Sequence, residues 1–250
     1  VAGRKLPFRT IFLATAALII VDGVFLAFLP FPSFAWTVKA KDAPKERMQF
    51  TPSAVVLVCL GFTTSTTFML WLNCNQELGA LYDLTDPSRI QSFYSMGIVL
   101  ALFASATLLK WNVEPAKTLV AYPTVALATL VAIYLVQEPV MCLAGSFLLG
   151  FFAAGGVLQL VTAVANEMFP KKRGVITSVV MIASSVANYL VVSVAGVLTR
   201  IGGIESSQLV LLFNMAVMLN GILLALYLNV SLKRERPGAV EAAAAMEAQR

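Results

Sequence analysis

Phe169-Pro170-Lys171-Lys172-Arg173-Gly174 is a short cationic interruption between two apolar runs, 141–168 and 175–199. Each run is longer than the ~20 residues that carry a helix through a hydrocarbon core of ~30 Å. Neither holds a charge away from its ends. Pro170 and Gly174 are read as stopping one helix and releasing the next. Three cations in one turn between two spanning helices place that turn on the cytoplasmic face, where loops carry the excess of Lys and Arg. The orientation of the whole chain follows from it.

The composition is that of a chain that lives in lipid. Of 250 residues, 59% are hydrophobic and 12% charged, where a soluble domain carries about a quarter charged residues. The net charge of +5 does not point to nucleic acid, because the cations sit in the segments between apolar runs. Histidine is absent, which removes imidazole catalysis, His metal sites and His proton relays together. Cys59, Cys74 and Cys142 lie in or beside apolar runs without C-x-x-C spacing, so inert buried thiols are expected. No metal and no cofactor is expected. The chain starts Val1-Ala2-Gly3 with neither a signal peptide nor an initiator Met, so a processed, truncated or excerpted sequence is expected.

Seven spans are predicted, at about 8–29, 53–75, 90–109, 117–136, 141–168, 175–199 and 207–232. With the cationic turn inside, alternation also puts 30–52, 110–117 and the tail from 233 inside. Thirteen of the 18 cations then face the cytoplasm: Lys39, Lys41, Lys45, Arg47, Lys110, Lys117, Lys171, Lys172, Arg173, Lys233, Arg234, Arg236 and Arg250. Arg89 and Arg200 fall on the other side, as do Arg4, Lys5 and Arg9, which break the trend. The tail from 237 to 250 reads as a short solvated helix or a disordered end.

The motif Glu167-x-Phe169-Pro170-x-x-Arg173-Gly174 resembles the cytoplasmic loop joining the tenth and eleventh helices of major facilitator superfamily transporters. Small residues flank it on both sides, among them Gly145, Gly150, Gly155 and Gly156 before and Ser184, Ser185 and Gly196 after. A similar motif joins that family's fourth and fifth helices, so position decides which half is present. The first span, entered at Leu6-Pro7-Phe8-Arg9 and left at Leu29-Pro30, resembles the family's sixth helix. The charged segment 31–52 resembles the linker between its two halves. The resemblance therefore implies an all-α polytopic membrane protein: a C-terminal six-helix bundle (53–232) preceded by one transmembrane helix (1–30) and a cytoplasmic linker (31–52), and followed by a cytoplasmic tail (233–250). Two departures are visible. Lys110-Trp111-Asn112-Val113-Glu114-Pro115-Ala116-Lys117 stands where the family often has a Gly-rich loop with Asp and Arg, and sugar-porter and drug-exporter signatures are missing. Asn75-x-Glu77 and Asn166-Glu167 end the second and fifth spans alike, with opposite charge beyond them, as an inverted repeat would.

Polar side chains inside a span usually face protein or a water-filled path. Thr63, Thr64, Ser65, Thr66 and Thr67 are read as hydroxyls bonding back to their own helix and gluing neighbours. Asn73, Asn75, Gln76 and Glu77 offer many donors and acceptors together, and the family's seventh helix lines its central cavity, so these are solute-path candidates. Gln159 is another, since a mid-membrane amide needs a partner and Gly155 and Gly156 leave room for a solute or a helix. Asn188 is kept as a candidate, although interhelical hydrogen bonds suffice for it and for Asn214 and Asn220. Glu77 and Asp22 are the proton-coupling candidates, Glu77 first because its helix lines the cavity.

The function expected is secondary active transport of a small polar solute by alternating access between two bundles. Glu167, Pro170, Arg173 and Gly174 would form the loop motif. The partners would be the solute, the bilayer of the plasma or inner membrane, and an N-terminal half lying outside this chain. A retinal protein lacks its intramembrane Lys here. An enzyme lacks histidine and clustered acids. A non-transporting seven-helix membrane protein, or an inactive transporter fragment, is the alternative.

Overall fold

The computed structural model describes residues 8–28, 51–110, 115–170, 172–203 and 206–248, and every regular element among them is helical. The chain falls into two units, Val1–Arg47 and Met48–Arg250. The first contributes α1 (Phe8–Phe28), an apolar helix interrupted by Asp22. The linker expected over 31–52 lies almost wholly outside the described residues, as does 111–114.

The second unit is a bundle. It holds α2 (Pro52–Leu81), α3 (Ser88–Lys110), α4 (Pro115–Val136), a broken helix made of α5 (Pro139–Leu149) and α6 (Val157–Met168), then α7 (Arg173–Gly202) and α8 (Ser206–Ala248). Five stretches are long and apolar enough to cross a membrane: Pro52–Leu81, Lys117–Val136, Pro139–Met168, Arg173–Gly202 and Ser206–Leu232. The shorter apolar run Phe12–Phe28 lies in α1. The 23 residues of α3 extend about 35 Å at 1.5 Å per residue. These elements stand in the order and places of the predicted spans, in an all-α multi-pass membrane architecture.

Local chemistry sets the ends of α2. Thr51 caps the start, its hydroxyl accepting from the Ala54 N–H (3.4 Å), with Pro52 in the first turn. At the far end Asp83 takes a left-handed φ of 57°. The Leu84 N–H reaches Gly79 O (2.9 Å) and the Asp83 N–H reaches Ala80 O (3.2 Å), the paired bonds of a Schellman stop. The helix therefore ends at Leu81, not at 75, and Asn75, Gln76 and Glu77 are helical residues rather than a loop entry.

Three other expectations are corrected. The run 141–168 is not one helix. At Gly150–Ala154 it widens into a π-type turn, the Gly155 N–H bonding back to Gly150 O (2.8 Å), and it restarts at Val157 after Gly156 at φ 147°. Gly174 is not in the turn after α6 but is the second residue of α7. That turn is closed by the Lys172 N–H on Phe169 O (3.0 Å) and clamped by the Thr177 hydroxyl donating to Asn166 Oδ1 (3.0 Å). The backbone of α8 stays helical to Ala248, well past the predicted boundary at 232.

Within the bundle α2 is central. Gly61 meets Val180 and Ser184 near one end of α7, while Asn73 and Glu77 share a cleft with Val192 and Thr199 toward the other, so α2 and α7 run the same way. The Ser53 and Ser231 hydroxyls lie 2.8 Å apart and Asn214 reaches Thr67, so α8 runs antiparallel to α2. The core splits into two clusters along α2. Leu70, Trp71 and Leu78 anchor one with Tyr94, Ile133 and Leu211. Leu57 and Leu60 anchor the other with Leu119, Val161 and Val180. Between them α2 carries the polar run 63–67.

Candidate functional site

Most of that polar run is satisfied within its own helix. Thr63 and Thr64 both donate to Leu60 O (3.0 and 2.8 Å), Thr66 to Phe62 O (2.9 Å) and Thr67 to Thr63 O (3.3 Å). This is the local back-bonding that lets hydroxyls sit in lipid-embedded helices. Ser65 differs: it is 7% exposed and makes no hydrogen bond among the described residues. Its side chain lines a cavity of about 150 Å³ together with Thr64 and Phe68 of α2, Ala153 and Ala154 of the π turn, and Leu158 and Gln159 of α6.

The break in the fifth span positions Gln159. Restarting at Val157 turns Val157, Leu160, Val161 and Val164 inward and leaves Gln159 exposed, its amide free, on the cavity wall. The glycines around the break serve α3 rather than a solute. A Cβ on Gly150 would overlap the Tyr94 carbonyl oxygen, one on Gly155 would overlap Ala101 Cβ, and one on Gly156 would overlap Ser105 Oγ. Phe68, on the cavity wall, stacks on Tyr94 of α3 with ring centroids 6.2 Å apart and planes 26° from parallel. The cavity thus has an aromatic wall, two hydroxyls and an amide, and no charged group.

The amide-rich end of α2 does not act as one cluster. Asn75 is 0% exposed and points into the core, both its amide atoms buried without a protein partner. Gln76 is exposed. Asn73 and Glu77, one turn apart, line a separate cleft of about 180 Å³ with Cys74, Val192, Ala195, Gly196, Thr199 and Val210. It lies toward the end of the bundle opposite the cationic turn.

No protein-family model matches the chain. It is 35% identical over 150 residues to the inner membrane transport protein YdiN of Escherichia coli (strain K12), which covers 60% of this chain and 36% of that protein. It is 27% identical over 236 residues to YfkL of Bacillus subtilis (strain 168), named an uncharacterized MFS-type transporter, covering 89% of this chain and 57% of that one. Over 239 residues it is 25% identical to the E. coli inner membrane transport protein YdiM, with 92% and 58% covered. This chain is a relative of major facilitator transporters. It spans from about a third to somewhat over half the length of the curated relatives it matches.

The other candidates are scattered. Asn188 is half-buried on α7, its Oδ1 buried without a protein partner, and it is not on the wall that holds Gln159. Asn214 is buried on α8 and donates to Thr67 O (3.4 Å), the interhelical bond expected of it. Asn220 lines a third, mainly apolar cavity of about 590 Å³ between α2, α7 and α8. Asp22 is exposed on α1. Glu167 at the end of α6, Pro170 in the turn, and Arg173 and Gly174 at the start of α7 are all exposed. Sequence reasoning passed over Ser65 and Phe68 as wall residues, and Thr199 as a partner of Asn73 and Glu77. A signal existed only for the first pair: Ser65 and Phe68 are three residues apart and so share a helix face.

Proposed function

We propose that this chain is the C-terminal bundle of a secondary transporter, with one preceding helix, and that it moves a small, uncharged polar solute by alternating access. The observation that carries this is the 150 Å³ cavity between α2 and α6. Ligand pockets hold roughly 300–1,000 Å³, so this is one wall of a site, completed by a facing surface such as an N-terminal half. Ser65 and Gln159 keep free hydrogen-bonding groups on that wall, which a bilayer would penalise if only lipid faced them. The turn at 169–174 faces the cytoplasm in this reading. Proton coupling through this half falls on Glu77, which lines a cleft, ahead of Asp22 on the separate α1.

Gln159→Leu tests the reading, because it removes the amide's hydrogen bonds at nearly constant volume. Co-expressed with an N-terminal half, the variant should reach the membrane in normal amount and lose most solute flux. Transport equal to the parent would make the amide a structural one and sink the solute-path assignment.

A further inference from the structure

The cleft around Glu77 has a property that the Ser65–Gln159 cavity lacks: a carboxylate set beside unpartnered neutral oxygens. Asn73 donates its Nδ2 to Met69 O (2.8 Å), leaving Oδ1 without a partner. Thr199 donates its hydroxyl proton to Gly196 O (3.0 Å), leaving only lone pairs on the oxygen. The Cys74 thiol, also on the wall, is turned toward Trp71 O (3.9 Å). Glu77, free of any hydrogen bond or ion pair among the described residues, supplies a carboxylate one turn from Asn73. The lining thus keeps one free donor hydrogen, the second N–H of Asn73, against a carboxylate and two neutral oxygens.

The remaining walls are small and apolar, Val192, Ala195, Gly196 and Val210. They keep other donors away and leave about 180 Å³ beside the carboxylate. Glu77 lies four residues before the end of α2, which puts it about 6 Å below the helix terminus and within reach of solutes at that face. We infer that this cleft between α2, α7 and α8 is a binding site for a small monovalent cation, either a metal ion such as Na⁺ or an ammonium-type group. One carboxylate with two neutral oxygens balances a single positive charge. A divalent ion would need more anionic ligands than the lining contains. The inference does not rest on the transport reading, and its test reads binding rather than flux.

The 250-residue chain, in lipid nanodiscs, is melted in NaCl, in methylammonium chloride and in choline chloride at equal ionic strength. Choline has no N–H to donate, and its N-methyl and methylene groups hold its charge farther from the carboxylate. Na⁺ or methylammonium should raise the midpoint over choline by on the order of 2–4 °C, with saturation. Glu77→Gln should erase the shift, and Thr199→Val should weaken it. A double variant, Glu77→Gln with Gln76→Glu, keeps the net charge but moves the carboxylate off the cleft wall, and it should not respond. A response to Na⁺ alone assigns a metal ion, and to methylammonium alone an ammonium or guanidinium group. If neither cation exceeds choline, or if the double variant responds like the parent, the cleft is not a cation site.

Discussion

Two seams of the bundle are built from opposite materials. Where α3 meets the broken helix, backbone lies on backbone: a Cβ on Gly97 would overlap the Phe147 carbonyl oxygen, as one on Gly150 would overlap that of Tyr94. Where α2 faces α6 and α7, the packing opens into a cavity and a cleft lined by hydroxyls, amides and one carboxylate. Lipid tails are as apolar as Leu, so helices in a bilayer gain little from hiding apolar side chains from one another. They associate instead by close van der Waals contact at small residues. The first seam is that kind of joint. The second carries groups that are costly against hydrocarbon, and its place is against water, solute or another protein surface.

The contrast breaks most visibly at the glycines. Gly150→Val should destabilise the bundle by about 1–3 kcal/mol or more, since the clash is with a carbonyl that cannot move aside. Gly174→Ala, with nothing within 4 Å of the added carbon, should be neutral or stabilising by up to about 1 kcal/mol. Thermal unfolding in detergent compares them, and equal midpoints would erase the distinction between the packed joint and the open first turn of α7.

Inside the polar run a smaller difference is expected. Thr66→Val removes a buried hydroxyl bonded to Phe62 O and should cost about 0.5–1.5 kcal/mol. Ser65→Ala removes no such bond and should stay within about 0.5 kcal/mol while lowering flux through the assembled transporter. Loss of stability at Ser65 without loss of flux would move that residue from the open seam to the closed one. Asn214→Leu should cost only about 0.6 kcal/mol, the average for an interhelical hydrogen bond in a membrane, checked by the same unfolding assay.

The smallest effect lies in the connection before α3. There Asp86 accepts from the Ser88 hydroxyl (2.6 Å) and the Ser88 N–H, with Arg89 3.6 Å away. The Ser88 hydroxyl, followed by its N–H and Arg89, holds the Asp86 carboxyl below its ordinary value. Ser88→Ala should raise that titration toward the ordinary carboxylate range, observable by carbon NMR of the side chain. Because the folded value is the lower one, this local contribution is present above the ordinary carboxylate range. It fades as pH falls through the folded value.

The fold was legible in the sequence where it depends on length and hydropathy. Runs of apolar residues bounded by Pro30, Pro87 and Pro170 mark the spans without any knowledge of neighbours. The site was legible only as a list of residue types. Gln159 was singled out because an amide is rare at mid-span. Ser65, equally important to the cavity, was hidden among four neighbouring threonines that bond to their own helix.

From the sequence alone came the membrane class, the order of the spans and the place of the cationic turn, because each of these is summed along the chain. Tertiary structure decided the break at Gly150–Gly156, since it answers to the close approach of α3 and not to any local stop signal. It also decided which polar residues meet. Asn73 and Asn75 are two residues apart and so about 200° apart around the helix: one faces the cleft, the other the core. On a helix apolar on nearly all sides no stripe marks its inner face, and only the packing of α7 and α8 against α2 fixes which amide turns which way.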